Sequence, residues 1–242
     1  MALGESKNPV VRARTWDLAR EEAGTTTGTM SLSGAINKTG ILLLILVASS
    51  AFAWTQESPM LGMVGALCAL GCAIFLSFNP VRAPILAPAY AAFEGLLIGT
   101  FSVFMEYKYP GIPGNAMALT FAVLAVMLVC YRTGLLRATP MFQRVVVFAT
   151  FAIAITYLVD MVMSLFGMAV PMLHQSSPLG IGISVVITGV AAMNLILDFD
   201  LFERNANRSP KFMEWYCGFA LLVTLVWLYL EMVRLLSKLS KR

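Results

Sequence analysis

Charge is scarce in this 242-residue chain. Asp, Glu, Lys and Arg together make up 12% of it, against 59% hydrophobic residues, and the mean hydropathy is +0.79. An ordinary soluble domain is about one quarter charged and about half apolar. There is too little charge here to cover a water-facing surface, so a soluble globule is excluded as the main reading. The same shortage of polar residues excludes intrinsic disorder. Histidine occurs once, as His174, in a loop and without partners that would make it a pH sensor. The four cysteines, Cys68, Cys72, Cys130 and Cys217, lie inside or at the ends of apolar runs. Cys68 and Cys72 share a helix face, but no His or carboxylate accompanies them, so they read as small packing residues and not as a metal pair. No disulfide framework is suggested. No nucleophile elbow, P-loop, HExxH or Rossmann fingerprint is present, so neither an enzyme nor a bound cofactor is expected. The first 38 residues lack an apolar h-region, which predicts a first span acting as its own insertion signal and no cleaved signal peptide. Dyad alternation is missing too, which argues against a β-barrel.

What is present is a series of long apolar runs. Seven segments, at about 39–54, 59–78, 83–105, 116–131, 145–166, 179–198 and 215–236, approach the ~20 residues that a helix needs to cross ~30 Å of hydrocarbon. The first and fourth are short. Pro, Gly or charge marks the breaks, as at Glu57-Ser58-Pro59, Asn79-Pro80, Tyr109-Pro110-Gly111 and Ser177-Pro178. The expected fold is therefore all-α: a polytopic membrane protein with a polar, mobile tail over residues 1–38 and a seven-helix transmembrane domain over 39–242. No internal repeat is visible, which weakens an inverted-repeat transporter reading. The net charge of +4 reads as topology signalling, with the lipid bilayer and not nucleic acid as the partner. With seven crossings, twelve Lys and Arg fall on the side of the N-tail and five on the other, which predicts a cytoplasmic N-terminus. The outlier is the basic C-tail, Arg234, Lys238, Lys241 and Arg242, which an odd number of spans places outside.

An ionisable side chain at mid-membrane costs about 2.5–3.5 kcal/mol on insertion scales, so each one is a functional candidate. Glu94 is centred in the third segment beside the small-xxx-small pair Gly95 and Gly99. It reads either as a proton- or cation-exchanging carboxylate or as a protonated interhelical hydrogen-bond donor. Asp160 and Glu231 lie at similar depth in the fifth and seventh segments. They pair, or jointly line an outer vestibule, or each reaches for the outer headgroups. Asp198, Asp200 and Glu203 close the sixth segment, where three carboxylates oppose the helix macrodipole. Asn194 precedes Asp198 by one turn, and Asp198, Asp200 and Asn194 make a possible all-oxygen cation site suited to Ca²⁺ or Mg²⁺. The alternative is a solvated acidic helix end balanced by Arg204 and Arg208.

Four segments carry a resemblance: Asn37-Lys38-Thr39, Phe93-Glu94-Gly95-Leu96, Leu197-Asp198-Phe199-Asp200, and the stretch from Met213-Glu214-Trp215-Tyr216 to Leu228-Tyr229-Leu230-Glu231-Met232-Val233-Arg234. Over residues 30–242 the chain resembles the Bax inhibitor-1 family in its bacterial YccA-like branch. The resemblance implies a seven-helix bundle with the last helix surrounded by the other six, in the bacterial inner membrane. It also implies a pH-sensitive Ca²⁺ leak in which two aspartates, one closing the sixth helix and one within the seventh, share a proton. Asp198 matches the first. Thr224 stands where the family usually has the second, and a threonine cannot ionise. The second segment has no basic residue to act as an arginine latch. Glu231 lies two turns from Thr224 on the same face. The expected ion path and pH-sensing residues are thus Asp198, Glu94, Glu231, Asp160 and Thr224, with Ca²⁺ as a transported ion and not a cofactor. A second implication is a non-conducting role, since some relatives modulate a membrane-bound AAA protease through the N-terminal tail.

Overall fold

A computed structural model describes residues 28–167 and 175–241. His174 and the first 27 residues of the tail lie outside the described residues. Among the described residues seven helices follow one another: α1 (Leu32–Gln56), α2 (Pro59–Phe78), α3 (Ala83–Lys108), α4 (Ile112–Arg132), α5 (Pro140–Leu165), α6 (Pro178–Asn205) and α7 (Met213–Ser240), with a short 3₁₀ turn at Pro80–Arg82 before α3. There are no strands among the described residues beyond one isolated bridge, Thr29 to Pro210. All seven helices are long and apolar enough to span a bilayer, and the architecture is a seven-helix membrane bundle. The most buried span is α7, with 61% of its apolar window inside the protein, against 6% for α5. The apolar side chains of α5, such as Phe148, Ile155 and Leu165, are exposed, as a lipid-facing helix requires.

The helices extend further than hydropathy alone marks. Helix α1 begins at Leu32 and not near 39, because Ser31 caps it: the Gly34 N–H donates to the Ser31 hydroxyl at 3.0 Å. Lys38, which reads as a tail charge, is a residue of this helix and lies over the Trp215 ring at 4.7 Å. Helix α4 starts at Ile112 after Gly111, whose φ of +81° only glycine adopts readily, and Pro113 sits in its first turn. Helix α5 starts at Pro140 behind a Thr139 cap that accepts from the Phe142 N–H at 3.2 Å. The two segments that look short are therefore 25 and 21 residues long.

The chain forms two compact units. The first comprises residues 1–103 and 201–222, the second 104–200 and 223–242. In the first, α3 is held on both sides through glycines. A Cβ at Gly95 or Gly99 would strike the carbonyl oxygens of Leu46 and Ser50 on α1. One at Gly62 or Gly65 of α2 would strike Thr100 or the Phe93 carbonyl. The Ser49 hydroxyl donates to the Ala92 carbonyl at 2.5 Å across the α1–α3 contact. The small-xxx-small pair noted in the sequence thus seats α1. The root of the tail is clamped in the same unit. The Met30 N–H donates to the Ser209 carbonyl and the Asn207 N–H to the Met30 carbonyl, both at 2.8 Å, and the Met30 side chain is fully buried. The Glu214 carboxylate, in the first turn of α7, accepts from the Ser31 N–H and hydroxyl at 3.0 Å each. An acid there suits the positive helix terminus.

Candidate functional site

Within the second unit, α6 and α7 present a polar seam. Asp198 of α6 hydrogen-bonds the Thr224 hydroxyl of α7. Lys238 of α7 donates to the Ser184 hydroxyl of α6 at 2.7 Å. These two contacts fix an antiparallel register, since 198 and 184 are fourteen residues apart and so are 224 and 238. Halfway between them the register sets Glu231 level with Ala191, a fully buried residue. The seam therefore steps by seven residues on each helix. Two helical turns make about 10.5 Å per step and about 21 Å in all, two thirds of a ~30 Å hydrocarbon core.

At the first level, one Asp198 oxygen takes the Thr224 hydroxyl, and Oδ2 is buried with no hydrogen-bond partner. Only Thr100 Oγ1 shares that condition among the described residues. A buried carboxylate oxygen without a donor is costly, because desolvation is not recovered. At the second level, Glu231 is 1% exposed and fully engaged. Its oxygens accept from Tyr157 at 2.8 Å, from the Trp227 indole at 3.2 Å, and from Arg234 at 2.7 and 2.8 Å. Arg234 also reaches the Tyr157 hydroxyl and lies over its ring at 4.7 Å. At the third level, buried Lys238 donates to the Gly180 carbonyl at 3.0 Å as well as to Ser184.

The other sequence candidates are separated from this line. Asn194 turns to α5, donating to Thr150 at 2.9 Å, and Asp200 accepts from Gln143 of α5 at 3.1 Å. Asp198, Asp200 and Asn194 thus go to different partners, as expected of Asp198 and Asp200, two positions apart and on opposite helix faces. No group of three or more His, Cys, Asp or Glu that could hold a metal occurs among the described residues. Glu203 is exposed. Asp160, half-buried, lies one turn from Tyr157 and near enough to act on its hydroxyl electrostatically; the groups that hold Glu231 are Tyr157, Trp227 and Arg234. Glu94 belongs to the first unit. It is buried and hydrogen-bonded by Tyr90, four residues earlier on α3, whose ring packs edge-on against Phe219 at 4.8 Å.

Tyr157, Trp227 and Lys238 belong to the site without standing out in the sequence, where Arg234 and Lys238 read as tail charges. The signal was available in the spacing. Arg234 lies three residues beyond Glu231, which is ion-pair spacing on a helix, and Thr224, Glu231 and Lys238 form a strict heptad series.

The profile of the family described as Bax inhibitor 1 like matches residues 8–241, nearly the whole chain. The chain belongs to the Bax inhibitor 1 like family. Neither the curated proteins nor the solved structures gave a match. For this Bax inhibitor 1 like protein the seam acquires a context. The position where the resemblance expects a second aspartate is Thr224, and Thr224 is the group that meets Asp198.

Proposed function

We propose that this member of the family is a pH-modulated cation leak of the YccA-like branch, with Ca²⁺ as the passing ion and no catalytic role. Its location would be the bacterial inner membrane, with the N-terminus in the cytoplasm. One observation carries the reading: the buried, unpartnered Oδ2 of Asp198 in a seam lined by hydroxyl and carboxyl oxygens. An acceptor-only oxygen in that position is offset by whatever positive species visits it, and a proton and a hard cation are the two chemically apt visitors. The two compete for the same lone pairs, which supplies the pH dependence. Asp198 with Thr224 forms the first station and Glu231 the second. Asp160 acts at the second station through Tyr157. Asp200 and Asn194 hold α6 against α5. Glu94, in the first unit, is a separate proton-exchanging carboxyl.

The test is Ca²⁺ flux into vesicles reconstituted with the purified protein, between pH 5 and 8. Flux that changes with pH, and that Asp198→Asn lowers by about tenfold or more, is expected; a loss of ~1.4 kcal/mol in cation stabilisation suffices for that. Absence of flux at every pH overturns the reading.

A second reading is favoured by the clamp at the tail root. Met30 and Ser31 are bound to the α6–α7 connection and to Glu214. A partner gripping the tail would therefore pull on the base of α7. In this reading the protein regulates a membrane-bound protease or another membrane partner. Deleting residues 1–27 abolishes that regulation and leaves Ca²⁺ flux unchanged.

A further inference from the structure

Lys238 is the anomaly of the seam. Its side chain is 4% exposed, and its two hydrogen-bond partners, the Gly180 carbonyl and the Ser184 hydroxyl, are neutral. Among the described residues it forms no ion pair. The acceptors lie in the first two turns of α6, which begins at Pro178. That is the positive end of a helix macrodipole, where a cation is disfavoured. The carboxylate one step along the seam, Glu231, attracts the ammonium only from a distance, since Arg234 holds both its oxygens, and Arg234 and Lys241 repel it. The arrangement concentrates positive charge where stability alone would select against it. A carbonyl and a hydroxyl are, in turn, oxygen ligands of the kind that hard cations take in place of water.

We propose that Lys238 is a tethered cation that locks one end of the α6–α7 seam, occupying the oxygens that a passing cation would otherwise use. Arg234 does the same at Glu231. Two of the three levels are thus filled by side-chain cations, and only the Asp198–Thr224 level is without one. The lock opens when the Lys238 ammonium is withdrawn from Gly180 and Ser184. This proposal rests on the leak reading above.

The experiment measures Ca²⁺ flux in reconstituted vesicles for the wild type, Lys238→Met, Lys238→Arg and Ser184→Ala, each also combined with Asp198→Asn. Lys238→Met is expected to raise flux at least about tenfold, because a fixed like charge is removed from a low-dielectric route. Lys238→Arg keeps the charge and is expected to gain far less flux than Lys238→Met. Ser184→Ala loosens the tether without touching the charge and raises flux to a smaller extent. Asp198→Asn cancels each gain, showing that the ions use the same seam. If Lys238→Met is not monodisperse in detergent, Ser184→Ala decides in its place. Asp198-dependent wild-type flux with no gain in either variant overturns the lock and leaves the leak reading standing. A gain that Asp198→Asn does not cancel also overturns the lock. Silence of every variant at every pH overturns the leak reading, and the lock with it.

Discussion

Thr224 sets what a proton can do at the first level of the seam. A threonine hydroxyl donates one hydrogen bond and cannot give up its proton in the physiological range, so Asp198 carries the titration alone. Thr224→Asp introduces a second carboxyl against the first, and two carboxyls in contact cannot both stay charged cheaply. Flux measured across pH 5 to 8 is expected to acquire a steeper pH dependence in that variant, while Thr224→Val keeps the shape and loses the hydroxyl. Glu231 presents a different balance. Glu231→Leu leaves the Arg234 guanidinium without its counter-charge and is expected to destabilise the protein by roughly 3 kcal/mol. Tyr157→Phe removes two hydrogen bonds within the membrane, the one given to Glu231 and the one accepted from Arg234, each worth about 0.6–1.7 kcal/mol. Thermal melting in detergent checks the order. Asp198, Glu94 and Glu231 stand out in the sequence because acids are rare in apolar runs. Lys238 does not, because a lysine four residues from the C-terminus looks identical whether it faces water or is folded back. Only the register of α6 against α7 distinguishes the two.

Among elements, the seam is legible once the direction of the helices is known. A seven-residue step keeps side chains on nearly one face of a helix, drifting by about 20° per step. Two antiparallel helices with matched steps meet at every second turn. Hydropathy located all seven helices but not their ends, since polar first turns such as Leu32–Lys38 and Ile112–Asn115 lower the local average. Caps, a proline and a cation over an aromatic ring hold those turns. The glycine contacts make a separate prediction. A Cβ at Gly99 meets backbone on α1 and not the tip of a flexible side chain. Gly99→Val is expected to force α1 and α3 apart at a cost of about 1–3 kcal/mol or more. Gly71→Val, where nothing lies within 4 Å, should leave the melting temperature near wild type.

At the scale of the whole molecule, the ion pair of Arg234 and the burial of Lys238 bear on orientation. Neither behaves as a free juxtamembrane charge. Leaving them out, together with Lys38 over Trp215, gives three Lys and Arg opposite the N-tail against eleven on its own side. The proposed cytoplasmic N-terminus then meets less conflict from the C-tail. A cysteine placed in the tail, at Ser6, is expected to resist a membrane-impermeant thiol reagent added to intact cells and to react after lysis. One at Ser240 is expected to react in both.

The two units also constrain how the protein can be made. Helices α1 to α3 supply most of the first unit, yet its remaining piece is Leu201–Leu222, which leaves the ribosome late. Until then the early helices sit in the bilayer with the faces that Leu201–Leu222 covers left open, among them the side of α3 where Tyr90 meets Phe219. Translation must therefore run past residue 222 before either unit can close.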